Sequence, residues 1–378
     1  MPIGINLTLL IGPNIPVPVP TLFTEALRDV EVTHSDEGRS GFQITFTVGR
    51  AGRNDLKDYQ LINSPLLKPG NRVILIVILQ ASAKVLMDGI ITHQQFLPSM
   101  ELGASTFSIT GEDVSIMMDL EEKSVEHPAQ DERIIVTKIV GSYAKYGLIP
   151  KVKKPPIVDR PTVTQRIPSQ TATDLKYIEK LAERYKYVFY VSPGPVAGTN
   201  TAYWGPPIRI GTSQKALTVN MGTYSNVNSI NFQNNALSPS TVAGQVQDRK
   251  TNKIKSVQAK DSDREDLSQN PALNNKSLLR KTQYRQTGKE ALQAMTRAKS
   301  ILNSSVDKVI EATGEVDTIR YGNLLELRGV VGLRGVGHNY DGLYYVKSVT
   351  HKLRLGEYKQ SFIITREGLG TTKQFLDV

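Results

Sequence analysis

The chain has 378 residues, 39% hydrophobic and 22% charged, with no cysteine; that length divides into about two to four domains of ordinary globular composition. The missing cysteines exclude disulfides, thiolate nucleophiles, iron–sulfur clusters and cysteine zinc sites. Formal net charge is +10, concentrated between Arg249 and Lys299, where thirteen Lys or Arg stand against five Asp or Glu; such a stretch points to an acidic partner or nucleic acid, or to a solvated loop.

Residues 1–24 read as a strand and a proline-rich arm. Met1 to Gly12 lacks a basic leader, and its apolar run is too short for a signal peptide or a membrane span. Synthesis in a cytoplasm without a Sec-type signal is therefore expected. Residues 5–11 predict a strand. Ile15-Pro16-Val17-Pro18-Val19-Pro20 predicts an extended arm, lying across a neighbouring subunit or along its own chain. Residues 25–110 predict a first β-barrel. Phe42, Ile44, Phe46 and Val48 alternate with Gln43, Thr45 and Thr47, as a half-buried strand requires. Arg72 to Leu79 predicts an apolar strand covered on both faces, and 87–97 and 104–110 complete an antiparallel set.

Residues 111–215 predict an α+β insertion. A short helix at 113–120 precedes a helix from Asp131 to Tyr146, with Ile135, Ile139 and Tyr143 on one stripe and an end at Gly147. A basic, proline-rich linker covers 150–161. Thr171-Ala172-Thr173-Asp174 then caps a helix with Leu175, Ile178, Leu181, Ala182 and Tyr185 on one face, and Tyr187 to Val191 is a strand. Residues 216–255 and 304–368 predict a second β-barrel. Between its halves, 256–286 is polar and weakly patterned, read as mobile or extended. Thr287-Gly288-Lys289-Glu290 caps a helix to about Asn303, striped by Ala291, Met295, Ala298 and Leu302. The tail 369–378 lies on a partner or frays.

No motif for chemistry emerges. The five histidines, His34, His93, His127, His338 and His351, lack metal-site spacing with carboxylate company. Gly329 to Gly337 is glycine-rich, but a strand rather than a helix follows, which predicts a hairpin and not a dinucleotide loop. Glu121-Glu122 and Glu112-Asp113 read as surface carboxylates, and Trp204 as a core or turn residue. No catalytic, cofactor or metal site is expected, and no enzyme activity. Arg249, Lys250, Lys253, Lys255, Arg280, Lys281 and Arg285 have one aromatic among them, Tyr284. Single-strand binders interleave more aromatics than this, so a nucleic-acid-binding accessory protein is the alternative reading.

Two stretches share a plan. Lys68-Pro69-Gly70-Asn71 leads into a strand, then Asp88-Gly89-Ile90-Ile91-Thr92-His93, then Phe107 to Glu112. Arg320-Tyr321-Gly322-Asn323 leads into a strand expected at Leu324 to Val330, then Asp341-Gly342-Leu343-Tyr344-Tyr345, then Phe362 to Glu367. Gly70 to Asp88 is 18 positions and Gly322 to Asp341 is 19; Asp88 to Phe107 is 19 and Asp341 to Phe362 is 21. His93 and His351 fall at matching places, which favours a structural role. The order predicts duplication of one β-module, against two unrelated β-domains sharing frequent turn residues.

Four stretches carry a resemblance: Val85-Leu86-Met87-Asp88-Gly89-Ile90-Ile91-Thr92; Phe107-Ser108-Ile109-Thr110-Gly111-Glu112-Asp113; Thr173-Asp174-Leu175 through Leu181-Ala182-Glu183-Arg184-Tyr185 to Val191; and Gly342-Leu343-Tyr344-Tyr345 to His351. In this order, over most of 5–368, they resemble the phage late control protein D family, the baseplate hubs of contractile tails and injection systems, related to the N-terminal half of VgrG spike proteins. The resemblance implies a mainly β fold of two related, tail-tube-like β-barrels flanking a small α+β region. It implies a homotrimer joining a hexameric inner tube to a three-fold spike. Two similar barrels in each of three chains would resolve that symmetry mismatch.

The chain ends at Val378, soon after the second barrel, which implies a separate spike protein and no lysozyme-like domain. Other baseplate components are expected partners, without direct membrane insertion. The expected location is a phage virion or an injection particle, whether cytoplasmic, membrane-anchored or released. Arg328 and Arg334, on strand or loop edges of the second module, and Arg280 and Lys281 of the basic segment are the candidate partner-interface residues.

Overall fold

The computed structural model describes residues 5–13, 15–49, 59–101, 103–155, 167–185, 187–209, 211–248, 251–285 and 290–372. The chain is mainly β, largely antiparallel, with few helices, and carries an α+β insertion. It clusters into two compact units. The first holds Met1–Leu181, Val188–Gly205 and Thr350–Lys359; the second holds Ala182–Tyr187, Pro206–Val349 and Gln360–Val378.

The first unit runs β1 (Ile5–Gly12), β2 (Val17–Pro18), α1 (Thr21–Ala26), β3 (Leu27–Ser35), β4 (Gly41–Val48), β5 (Arg72–Leu79), β6 (Ser82–Leu97) and β7 (Ser105–Asp113). These strands lie in the order β3-β4-β7-β6-β5-β1, every ladder antiparallel. The alternation in β4 buries Phe42, Ile44, Phe46 and Val48, and β5 is buried on both faces, as its unbroken apolar run requires. The Phe42 ring lies over Gly89 of β6 and Gly111 of β7; a Cβ at either glycine would overlap it. β2 folds back to pair Val17 with Ile11 and Pro18 with Leu10, so the proline arm lies along its own chain.

The insertion follows as β8 (Glu122–Glu126), α2 (Glu132–Gly141), β9 (Leu148–Val152), β10 (Ser169–Thr173), α3 (Asp174–Tyr185), β11 (Val188–Pro193) and β12 (Asn200–Gly205). Asp131 caps α2 by accepting from the Ile134 amide at 2.9 Å. Ile135, Val136, Ile139 and Val140 are its buried stripe. Tyr143 falls beyond the helix, and its hydroxyl donates to Asp174 at 2.7 Å. Lys123 and Gln170 donate to the same carboxylate; burial opposes its charge, but the three donors outweigh burial and hold its pKa below the usual range. Trp204 is fully buried and donates to the Ile178 carbonyl at 3.4 Å.

The second unit runs β13 (Gln214–Thr218), β14 (Val227–Asn234), β15 (Ser240–Gln247), β16 (Ile254–Ala259), β17 (Ser268–Pro271), β18 (Arg280–Tyr284), α4 (Ala291–Val306), β19 (Ile310–Asp317), α5 (Thr318–Tyr321), β20 (Val330–Arg334), β21 (Gly342–Arg354), β22 (Glu357–Arg366) and β23 (Gly368–Thr371). Its main sheet has the order β14-β19-β22-β21-β20-β13. Leu217, Ala312, Tyr321, Leu333, Tyr344 and Phe362 lie in its core. A separate sheet, β16-β15-β18, packs Val242, Val246, Val257 and Tyr284 against Ala294, Ala298 and Leu302 of α4.

The two main sheets repeat one design. In chain order, β1, β3, β4, β5, β6 and β7 of the first take the places of β13, β14, β19, β20, β21 and β22 of the second. The hydrogen bonding also repeats. Gly70 donates to the Ile91 carbonyl (2.8 Å) and Ile91 to that of Asn71 (2.9 Å); Arg328 donates to the Val346 carbonyl (3.0 Å) and Val346 to that of Gly329 (2.9 Å). β3 slips register between Leu27 and Asp29, and β14 slips between Val227 and Ser229. One ladder differs: β1 is antiparallel to β5, whereas β13 is parallel to β20.

This register corrects the residue matching expected from the turn signals. Gly70 corresponds to Arg328, not Gly322, because α5 and the loop after it intervene. Arg72 faces Ile90 as Val330 faces Tyr345, so Asp88 corresponds to Leu343 rather than Asp341, and His351 to Phe96 rather than His93. The strand expected at Leu324 to Val330 begins at Val330; Thr318–Tyr321 is a helical turn capped by Asp317 and ended by Gly322 in the left-handed region. Residues 256–286 are not one extended segment; they contain β17, β18 and the end of β16. Residues 240–255, expected in the second barrel, lie in or beside the small sheet of β15, β16 and β18. In α4 the buried stripe is Ala294, Ala298, Leu302 and Val306, one phase away from Ala291 and Met295. β23 pairs with β17, so the start of the tail lies on its own chain. Arg249, Lys250, the expected cap Thr287-Gly288-Lys289, the second half of the linker (156–161) and 373–378 fall outside the described residues.

A buried ion pair joins the insertion to the first sheet. Arg72 on β5 grips Asp88 on β6 through two 2.7 Å bonds, and also donates to the carbonyls of Tyr146 (2.9 Å) and Gly198 (3.0 Å). Asn200 on β12 donates to Asp88 at 2.8 Å. Asp88→Ala leaves the guanidinium buried without its counter-charge and is expected to destabilise the chain by about 3–5 kcal/mol, while Arg72→Met/Asp88→Leu recovers much of the loss. Urea denaturation of the three proteins measures both effects. His351 gives a second expectation. Its ring is buried, 5.7 Å from the His34 ring and 3.0 Å from the Tyr358 hydroxyl. Burial first, and His34 second, push its pKa well below 6.5. The unfolded chain takes up this proton near pH 6.5 and the folded chain does not, so stability falls as pH drops below about 6.5, by up to about 1.4 kcal/mol per pH unit. A His351→Gln variant compared at pH 7.5 and 5.5 should lose that part of the dependence.

Candidate functional site

Backbone edges are the most distinctive surfaces. β6 spans 16 residues and β21 spans 13. Each outruns the neighbour on one side. β5 pairs with β6 from Ser82 to Ile90, and Ile91 bonds Gly70 and Asn71; beyond it, among the described residues, Thr92 to Leu97 are laddered to β7 alone. β20 likewise pairs with β21 from Gly342 to Tyr345, and Val346 bonds Arg328 and Gly329. The far end of β21 does not stay bare. Thr350–Lys359 belongs to the first unit, where β21 lies beside β3. Thr33 and Thr350 touch through their hydroxyls at 3.1 Å, and the His34 and His351 rings meet alongside.

The tip of the β21–β22 hairpin also shapes a groove of about 80 Å³. Leu353 and Tyr358 of the hairpin line it with Ile5 and Leu7 of β1 and Leu27 and Val30 of β3. β1 and β3 are the two ends of the first sheet's order, so the sheet curls until its ends share this groove. In the second unit, β14 is laddered to β19 on one side only, among the described residues.

The four candidate interface cations do not form one patch. Arg328 precedes β20, half-buried, in a left-handed conformation (φ 62°) that favours glycine. Arg334 ends β20, half-buried, and donates to the Thr218 hydroxyl at 3.0 Å. Arg280 and Lys281 are exposed on β18, in the other sheet. Tyr284, the aromatic of that basic segment, is buried under α4 and offers no face for a base to stack on. Which edges stay open is not legible in the sequence, because a strand's length relative to its neighbour is not written in either strand. Sequence reasoning missed Arg366, buried and donating to the Asp341 carbonyl at 2.9 Å, with its guanidinium 4.4 Å over the Tyr344 ring. The charge in Phe362 to Glu367 was its only signal.

The chemistry available here is backbone pairing and apolar docking. Among the described residues, no three His, Asp or Glu gather to hold a metal, and no helix is long and apolar enough to cross a membrane.

Known structures share the fold. A tail protein from Neisseria meningitidis MC58 aligns over 97% of this chain and 98% of its own, with TM-score 0.66 and 12% identity. The 43 kDa tail protein of prophage MuSo2 from Shewanella oneidensis aligns over 96% and 98%, with TM-score 0.65 and 13% identity. The E. coli c3393 protein, a type VI secretion component described as structurally similar to the T4 tail proteins gp27 and gp5, aligns over 90% and 73%, with TM-score 0.54 and 10% identity. No curated protein matches the sequence. One family model, described as the Alg8 N-terminal domain, matches residues 43–354. By that match, which takes in the first sheet from β4 onward, the insertion and the second unit up to the end of β21, the chain belongs to the Alg8 N-terminal domain family.

Proposed function

We propose that the chain is the central baseplate hub of a contractile injection system or phage tail. In this reading it is a homotrimer that joins the hexameric inner tube to a three-fold spike and contacts other baseplate components. The observation that carries the reading is the repeated six-strand design, with its shared hydrogen bonds and register slips. Two equivalent modules in each of three chains offer a six-fold tube six similar faces, while the chain as a whole stays three-fold. The tail-protein fold and the late control protein D resemblance support the same role. The chain then acts by assembly rather than catalysis, inside a virion or an injection particle.

The alternative, a nucleic-acid-binding accessory protein, draws on the exposed Arg280 and Lys281. It requires DNA affinity that falls steeply with salt.

Native mass measured alone and with the neighbouring spike protein tests the main reading. A mass near three times 41.8 kDa, or a complex with equal numbers of hub and spike, is expected. A stable monomer that ignores the spike and shifts on DNA would favour the alternative. The interface cations are best tested with Arg328→Gly, which copies the first module's residue and suits the left-handed turn, combined with Arg334→Gln, which keeps a donor for Thr218. This variant should fold with unchanged urea midpoint and lose tube or spike attachment; normal attachment would remove both residues from the interface.

A further inference from the structure

We infer that the tip of the β21–β22 hairpin is an acid-released latch. While the facing histidines His34 and His351 are neutral, the tip lies closed on β3; proton uptake at this pair frees it and uncovers the apolar groove beneath. The latch is independent of the hub reading.

The hairpin is built to move as a piece. Only Thr350–Lys359 belongs to the first unit; Val349 and Gln360, at its base, belong to the second. The tip turns at Gly356, in the left-handed region (φ 81°), beside Leu355, which is 85% exposed. Lifting the tip breaks its contacts with β1 and β3 and leaves the β3–β4 and β1–β5 ladders whole.

What holds the tip is a contact that tolerates no charge. The His351 ring is buried, with the His34 ring 5.7 Å away at 77° and the Tyr358 hydroxyl 3.0 Å from its Nδ1. On the other side, His34 Nδ1 lies 3.2 Å from the Ser40 hydroxyl, and the Ser40 amide donates to Asp113 at 2.9 Å. The charges along these elements are paired with one another or face water. Arg28 pairs with Asp29 on β3, Lys359 with Glu357 on β22, and Arg39 with Glu112 and Asp119. Glu31, Lys352 and Arg354 are exposed, and Asp36 stands half-buried two residues beyond His34. A proton on either ring of the closed latch sets a cation against a buried imidazole, whereas in the lifted hairpin both rings meet water and take up protons near pH 6.5. Falling pH therefore favours the lifted form below about 6.5, and the closed form is kept above it.

The repeat shows that this position does not need a titrating ring. Phe96 takes the place of His351 in the first module, with its ring 5.1 Å from that of Tyr59. Where the first module has a contact indifferent to pH, the second has one that acid opens. Lifting bares Leu353 and Tyr358 of the hairpin and Ile5, Leu27 and Val30 of the sheet, an apolar surface of the kind that partners cover.

Hydrogen exchange of the native full-length protein at pH 7.5 and 5.5, corrected for the intrinsic rate, tests the latch. A two-stranded tip with no third strand is marginally stable, so the amides of Thr350–Lys359 should lose protection at pH 5.5 while those of β5 and β19 keep it. The open population should rise by up to about tenfold per pH unit for each proton taken up. Binding of the apolar dye anilinonaphthalene sulfonate should rise with it. Thr33 and Thr350 touch through their hydroxyls, so Thr33→Cys/Thr350→Cys, oxidised in a chain with no other cysteine, should hold the tip closed at both pH values. His351→Phe, which copies the first module, should remove the response. His34→Asn, which keeps a polar partner for Ser40, should reduce it, and carries the test if His351→Phe does not fold. A tip that stays protected at pH 5.5 overturns the latch. So does loss of protection in all strands together, or a response unchanged in the histidine variants.

Discussion

An amide on a long strand must find a carbonyl, and both main sheets are organised around one strand that outruns its neighbour. In the second module the surplus length of β21 is taken up beside β3, and that contact brings with it the Thr33–Thr350 pair, the buried imidazoles and the apolar groove. None of these features would exist if β20 were long enough to cover β21. The hairpin tip sits where β1 and β3, the two ends of the first sheet's order, approach.

The electrostatics are subordinate to this backbone frame. Arg72 and Asp88 occupy facing strands at the point where β5 begins, and further hydrogen bonds tie them to Tyr146, Gly198 and Asn200 of the insertion. A buried guanidinium held by a bidentate carboxylate and two carbonyls is fixed in place, which makes it a registration device more than a source of net stability. Asp174 does the same inside the insertion with donors from Lys123, Tyr143 and Gln170. The charges of this chain that are buried therefore fix geometry, and the basic residues of β18 remain outside.

Local pattern made much of this readable. The strand Arg72–Leu79 was legible to the residue, because an unbroken apolar run between turn residues has few other uses. The alternation at Phe42 to Val48 and the stripe at Leu175 to Tyr185 were equally plain. The repeat was legible as an order of elements and illegible as a residue alignment. Gly-Asn and Asp-Gly mark turns wherever they occur, whereas the true correspondence is carried by backbone bonds such as Gly70 to Ile91, which side chains do not encode. The small sheet of β15, β16 and β18 was hidden for a related reason. Half its strand faces are solvent-exposed and polar, so the apolar signal falls below that of a loop. The Arg72 clamp spans 128 residues of sequence from Arg72 to Asn200, a distance no local window covers.

Gly70 and Arg328 occupy the same hydrogen-bonded corner of the two modules. The first is a glycine, at ease with positive φ; the second holds a long cation in the same left-handed turn. Apart from that side chain, the two corners differ little in backbone. In the trimeric hub that we propose, the corner would occur six times and its guanidinium three times. The charge at this corner thus distinguishes two modules that their backbone bonding makes alike.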